Sequence, residues 1–541
     1  MFSVVNNTLL WKILVYFLSV ALLSPLISLI LISFDNTHGL WTHLVETVLA
    51  RYVMNTILLM LGVAALSSVF GIFTAWIIAR YRFKFSKVID LMMLLPAACP
   101  AYLVAYAYTD FFEYAGPIQV ILRNLMSWSS PSEYFFPEIR SLGGAIFVLS
   151  SVLYPYIYLL ARTAFRQIPE SLLEITSLYN KSSFWKLGLP IARPAIVAGV
   201  ALVCMEVVSD FGTVEYFSLE TLTLGIFNVW IGMNSITAAA QLATFSFIFI
   251  IALLILEIKS RYGRRFNDTS RKQRRPEILN LKGTKALFCC FICLLPVSFG
   301  FLIPISILLS NALGDLNWPS ILESFVVLKN TLLVSFVGSI TVMFIATLCV
   351  TVSKITNDKK LQFFSKLSAT GYAFPGTILA IGVIITVGYF DKIFTLFNIT
   401  NSNSTFYISG SLFVLIFAYL IRFLAVGYGA ILSGIEKTSP NLVWASRTLG
   451  VNFPGTIAKV TLPLIRPSII AGGVLVFVDI MKELPMTLLL RPFNFDTLAT
   501  HTYQFAHDEL MSEASLPALM IVSAGLVPII FLNKILRSNY K

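Results

Sequence analysis

The sequence predicts an all-α polytopic membrane protein: twelve transmembrane helices, arranged as two parallel six-helix repeats. Three observations predict it. The first is composition. Of 541 residues, 57% are hydrophobic and 12% charged, and the mean hydropathy is +0.83. Soluble folds carry about 25% charged residues. A chain of this length cannot coat a water-soluble surface with half that share, so a soluble multidomain enzyme and a disordered chain are both excluded. The second is the spacing of basic loops. The third is an internal repeat.

A span needs about 20 mostly apolar residues. Such runs fall at 11–33, 53–79, 88–110, 141–163, 195–214 and 236–258, then at 285–310, 330–353, 364–390, 406–432, 468–490 and 514–537. The first run reads as a retained span. Its apolar core is long, and no small-residue cleavage site precedes Phe34 and Asp35. Cys99, Cys204, Cys289, Cys290, Cys293 and Cys349 all lie in apolar runs and read as small buried hydrophobes.

The formal net charge is +12. In a membrane protein that excess marks cytoplasmic loops, so nucleic acid is not expected as a partner. Arg80, Arg82, Lys84 and Lys87 follow the second span. Arg162, Arg166, Lys181, Lys186 and Arg193 follow the fourth. Ten Lys and Arg between Lys259 and Lys285 join the sixth to the seventh, and Lys354, Lys359, Lys360 and Lys366 follow the eighth. The alternate loops are nearly bare: 34–51 has Arg51, 215–235 has none and 491–513 has Arg491. An even span count then places both termini in the cytoplasm.

The repeat rests on three landmarks. Asn55-Thr56 recurs as Asn330-Thr331, 275 residues on. Pro100-Ala101 recurs as Pro375-Gly376 at the same offset. Leu189-Pro190-Ile191-Ala192-Arg193-Pro194 recurs as Leu462-Pro463-Leu464-Ile465-Arg466-Pro467, 273 on. Six spans per copy give both copies one orientation, as in transporters with parallel repeats. The expected division is a first repeat at 1–258, a basic linker at 259–284 and a second repeat at 285–541.

Two cytoplasmic loops are too long for turns. Residues 166–188 predict a short helix opened by Pro169. The second loop runs from Ser439-Pro440 to Thr448-Leu449-Gly450. A short exposed helix of this kind suits the groove of a cytosolic partner; the plainer reading is a connecting helix. Both loops resemble the coupling loops of bacterial binding-protein-dependent ABC importers, whose pattern is roughly Glu-Ala-Ala, a later Gly, then Leu-Pro. The second copy keeps Ala445, Gly450 and Leu462-Pro463 but has Trp444 at the Glu position. The first keeps Glu174 but has Ile175-Thr176 for the alanines, with Asn180 or a neighbour for the Gly. The resemblance implies that Glu174, Ser177, Leu178, Lys186 and Pro190, with Ala445, Arg447, Gly450, Lys459 and Pro463, contact an ATP-hydrolysing subunit. No Gly-Lys pair occurs in the chain, so a phosphate-cradling loop is absent and any ATPase is another polypeptide.

Acids inside apolar spans are costly and commonly functional. Glu206 and Asp210 lie in the fifth span, with Glu215 beyond. Asp479, Lys482 and Glu483 lie in the eleventh, followed by Pro485. The 273-residue offset pairs Glu206 with Asp479 and Asp210 with Glu483. Spacing of i and i+4 predicts one acidic stripe per helix. Two readings stay open: a lining near a cation path, or an interhelical lock that also forms a gate. Lys482 is expected to pair with an acid. His501 and His507 are weak candidates for metal; a loop that receives a solute-binding protein is the stronger reading.

The segment from Glu206 to Phe217 resembles the fifth-span motif of ferric-iron ABC permeases. Lys482-Glu483-Leu484-Pro485-Met486-Thr487-Leu488-Leu489-Leu490-Arg491-Pro492 resembles their second-half motif, with Met486 for the usual Ala. The chain is thus similar, along its length, to fused two-copy permeases with two MetI-like domains. That implies the type I ABC importer permease fold, a place in the bacterial inner membrane, and two copies of a cytosolic ATPase as partners. It also implies a periplasmic or lipid-anchored solute-binding protein, contact with membrane lipid, and no cofactor bound by this chain, ATP being used by the ATPase. Ferric iron is the implied cargo. Thiamine, phosphonate, polyamine and sulfate are alternatives on the same fold. An ion-coupled secondary transporter is the alternative from another class. A membrane-embedded enzyme finds no support, since no catalytic dyad lies in the spans.

Overall fold

The computed structural model describes residues 2–178, 182–261, 279–314, 318–396 and 408–538. Most of the 259–284 linker lies outside the described residues. The described chain is helical apart from turns and one two-residue parallel bridge, Tyr81–Arg82 with Leu279–Asn280. Helix is what the composition demands. Lipid offers no hydrogen bonds, so each backbone group must be satisfied within its own segment. Hydroxyls in the spans obey the same rule: Thr56, Ser68, Ser151 and Thr351 donate to the carbonyl four residues back.

Nine described helices are long and apolar enough to cross a membrane: Thr8–Ile32, Leu40–Arg80, Leu142–Arg166, Phe184–Ser209, Thr284–Gly314, Ile321–Ile355, Gly376–Ile393, Leu412–Glu436 and Phe453–Met481. A tenth follows if Ser86–Ala98 and Ala101–Met126, which meet at 89°, count as one broken span. Ile236–Ala252 and Met511–Val527 are shorter apolar helices. The chain is a multi-pass membrane protein. Large side chains such as Phe17, Leu61, Phe336 and Phe344 stand exposed on its helices, as a lipid-facing surface requires.

Four of the expected spans are interrupted, three of them beside a proline. A 3-10 turn at Leu95–Ala98 precedes Pro100 and the Ala101–Phe112 helix; another at Gly371–Ala373 precedes Pro375 and the Gly376–Leu396 helix. A residue before proline is pushed out of the α region, and Cys99 and Phe374 are extended accordingly. The expected span at 195–214 is a helix, Leu189–Ser209, then a break, then Gly212–Tyr216. The expected span at 468–490 is Leu462–Met481, a break, then Pro485–Leu490.

The chain forms two compact units. The first comprises Met1–Trp41, Ile226–Phe245 and Trp318–Tyr503; the second comprises Thr42–Gly225, Ser246–Asn317 and Gln504–Lys541. They do not coincide with the sequence halves. In the first unit Phe2–Ile32 packs on Gly376–Leu396 and Lys359–Ser368. Its central packing is Trp318–Ile355 against Leu412–Glu436 and Leu462–Met481. In the second unit the corresponding trio is Ala50–Arg80 with Leu142–Arg166 and Leu189–Ser209.

The two copies of the Asn-Thr pair make matching bonds. Asn55 Nδ2 donates to the Glu220 carbonyl at 3.0 Å, and the Thr56 hydroxyl accepts the Leu222 N–H at 3.0 Å. In the other unit Asn330 Nδ2 donates to the Asp496 carbonyl at 3.2 Å, and the Thr331 hydroxyl accepts the Leu498 N–H at 2.8 Å. Each pair ties a long helix to the loop that follows the short helix beyond a break.

Candidate functional site

Each break holds one of the acids singled out in the sequence, Asp210 in one and Glu483 in the other. Glu206 lies on the Leu189–Ser209 helix, half-buried, but Asp210 lies past its end. The Asp210 carboxylate accepts the Thr213 N–H at 3.0 Å, the Val214 N–H at 3.2 Å and the Thr213 hydroxyl at 3.1 Å. It satisfies the open N–H groups of the next turn, as a capping acid does. The expected stripe of two acids on one helix face therefore fails. One acid is on a helix and the other caps its continuation.

The second copy repeats the design with more charge. Asp479 is on the Leu462–Met481 helix and pairs with Lys482 at 2.9 Å. Glu483, 6% exposed, accepts the Met486 N–H at 3.2 Å and so caps the helix opened by Pro485. Its carboxylate also faces the Arg422 guanidinium at 3.4 Å. Gly376, at the start of the Gly376–Leu396 helix, makes room for this pair. A Cβ there would meet Arg422 Nη1, and would lie 2.9 Å from Glu483 Oε1 and 3.0 Å from Met486.

Arg422 is the clearest residue that reading the sequence missed. A lone arginine inside the apolar run 412–436 was the available signal. Arg162, expected in the loop after the fourth span, is instead 4% exposed inside Leu142–Arg166 and bonded to Asp90.

The residues of the two expected coupling loops form two similar ladders. In the first loop a helix spans Glu170–Leu178, including Glu174, Ser177 and Leu178; Asn180 lies outside the described residues. A π turn at Phe184–Gly188 then leads into Leu189-Pro190. In the second loop the helix is Pro440–Thr448, and a π turn at Ile457–Thr461 leads into Leu462-Pro463. Proline removes one N–H from the helical ladder, and a local i→i−5 register is one way a helix absorbs such a defect. Lys186 and Lys459 sit at matching places in the π turns, and both are exposed, as are Pro190 and Pro463.

Leu442, Trp444 and Leu449 stand exposed on or beside the second helix, next to exposed Ala445. Gly450 ends it with φ of +82°. The Val451 N–H bonds to the Ser446 carbonyl and the Gly450 N–H to the Arg447 carbonyl, a left-handed stop that suits glycine. No atom crowds the position, so conformation alone selects glycine. The Arg447 guanidinium lies 5.4 Å from the Phe453 ring centroid.

The two histidine candidates do not converge. His501 is buried, with Nε2 4.0 Å from Glu323. Burial pushes its imidazole below the ordinary value, with Glu323 opposing. His507 is exposed, 3.8 Å from Glu215 and from Asp508. Among the described residues, no three His, Cys, Asp or Glu side chains form a group that could hold a metal ion.

No family model matches the chain. Against individual proteins, the chain is 24% identical over 502 residues to a Fe(3+)-transport system permease protein, FbpB 2, of Haemophilus influenzae, covering 90% of each. A ferric transport system permease protein of Actinobacillus pleuropneumoniae is 20% identical over 473 residues, 82% of this chain and 65% of that protein. A sulfate transport system permease protein of Escherichia coli is 26% identical over 212 residues, 37% of this chain and 72% of that protein. The similarity is to transport permeases. It runs nearly end to end for the Haemophilus protein and spans little more than a third of the chain for the sulfate protein.

Proposed function

We propose that the chain is the membrane permease subunit of an ATP-driven ABC importer that passes ferric iron into the cytoplasm. A periplasmic or lipid-anchored solute-binding protein delivers the iron. In this reading twelve helices cross the bacterial inner membrane as two parallel repeats, 1–258 and 285–541, joined by the 259–284 linker. Both termini are cytoplasmic. Two copies of a cytosolic ATPase engage the two loops, and the chain itself binds no cofactor.

The observation that carries this reading is the construction shared by the two loops: a short helix, a π turn, Leu-Pro, and then a long helix that runs to an acid-capped break. Leu189–Ser209 has 21 residues and Leu462–Met481 has 20, each about 30 Å at 1.5 Å per residue, the thickness of a bilayer core. A push on either loop therefore reaches a break through one rigid rod. Glu206, Asp210, Glu215, Asp479, Lys482, Glu483 and Pro485 serve as the gate. The capping bonds of Asp210 and Glu483 support a lock that opens when a rod moves.

The exposed Leu442, Trp444 and Leu449 supply the apolar contact for an ATPase groove. Replacing Trp444 and Leu449 together by Ala lowers ATPase retention on the purified permease by about tenfold or more, the scale of losing an aromatic anchor. Retention at the unsubstituted level contradicts the reading. The likeness to a sulfate permease favours sulfate as the second cargo, and uptake of labelled ferric iron against labelled sulfate by the reconstituted complex separates the two.

A further inference from the structure

We infer that Asp90 is a positioning residue that locks the first coupling loop to the membrane helices, and that the second loop has no such lock. This deepens the proposed reading and rests on it for the consequence in transport. Asp90 lies on the Ser86–Met92 helix and is 14% exposed. Its Oδ1 accepts from the Tyr158 hydroxyl at 2.6 Å and from Arg162 Nη1. Its Oδ2 accepts from Arg166 Nη2 at 3.2 Å.

Tyr158, Arg162 and Arg166 occupy the last two turns of Leu142–Arg166, and Glu170–Leu178 begins four residues later. Ile168 and Leu173 then bury against Phe165 and Trp76. Arg80, at the end of its long helix, adds a Coulombic interaction with Glu170. Charge and packing fasten this loop helix on several sides.

The second half provides an internal control. Leu412–Glu436 matches Leu142–Arg166 in length and begins and ends 270 residues on. On that offset Tyr158 falls on Tyr428, Arg162 on Leu432 and Arg166 on Glu436; at 275, Asp90 falls on Ser365 and Arg80 on Ile355. The tyrosine recurs as Tyr428, but the ion pairs are gone. Glu436, itself exposed, instead pairs with half-buried Lys354 at 3.4 Å. The hydrophobic position differs too: Leu173 is buried, while Val443, its counterpart at 270, is only half-buried.

Hydrogen exchange on the purified full-length chain tests the lock without any partner. Amides of Glu170–Leu178 exchange more slowly than those of Pro440–Thr448. Asp90→Asn speeds the first set by about tenfold, Asp90→Glu restores protection, and Ser365→Ala leaves the second set unchanged. Equal protection of both loops, or no response to Asp90→Asn, overturns the inference. Should Asp90→Asn assemble poorly, Asp90→Asn with Arg162→Met removes both buried charges and is expected to assemble with the loop still unprotected; a protected loop in that variant also overturns it.

In the complex with its ATPase, the same substitution lowers cargo carried per ATP by at least about fivefold, the lower range of coupling between sites, and Ser365→Ala does not. A lock present in exchange but without effect on that ratio overturns the transport consequence alone. Failure of the unsubstituted chain to retain an ATPase overturns the proposed function and leaves the exchange result standing.

Discussion

At the scale of residues, two acids in equivalent places do different work. Asp210 caps a turn with neutral partners, so Asp210→Ala costs about 1 kcal/mol, the usual value of a cap. Glu483 also neutralises Arg422. Glu483→Ala strands a buried guanidinium and costs about 3–5 kcal/mol. Thermal unfolding of the purified permease ranks the two, and equal losses refute the distinction. Gly376→Val places atoms against Arg422 and Glu483 and is expected to fall with the Glu483 variant. Asp358 adds a pH dependence. Lys12, 3.0 Å away, and the Leu361 N–H at the start of Lys359–Ser368 hold its carboxyl below the usual range. A depressed carboxyl stabilises the fold above its unfolded value, about 3.9, and that contribution disappears as pH falls through the lower folded value. Asp358→Asn therefore flattens the acid limb of the stability profile; an unchanged limb contradicts this.

At the scale of elements, the sequence was legible where periodicity and proline agree. The Leu-Pro pairs marked the entry to the fifth and eleventh spans, and a π turn stands before each. The Asn-Thr pairs recur 275 residues apart, and each bonds to a loop in a matching way. What hydropathy hid was interruption. A run such as 195–214 is uniformly apolar around its acids, so nothing in it distinguishes one helix from two with a capped gap. The i, i+4 stripe failed for that reason. Arg422 went unread, and Arg162 counted as a loop charge, because their partners, Glu483 and Asp90, lie far off in sequence and only packing joins them. The left-handed stop at Gly450 predicts that Gly450→Ala destabilises the Pro440–Thr448 helix by about 1 kcal/mol through backbone strain alone, since the site is open. Faster amide exchange confined to that helix would show it; a wholly unaffected helix would not fit.

At the scale of the whole molecule, composition identified a membrane protein and loop charge gave it an expected orientation. The two units bring together segments far apart in sequence, an arrangement that no reading of local pattern foretells. Similarity over 90% of the chain to a ferric-iron permease gives the proposed cargo its support. The most direct test is uptake of labelled ferric iron into proteoliposomes that hold the chain, its ATPase and its solute-binding protein, with and without ATP. The account predicts accumulation that requires ATP hydrolysis and the binding protein and is lost with Asp210→Ala. Uptake that proceeds equally without ATP, driven by an ion gradient, would contradict it.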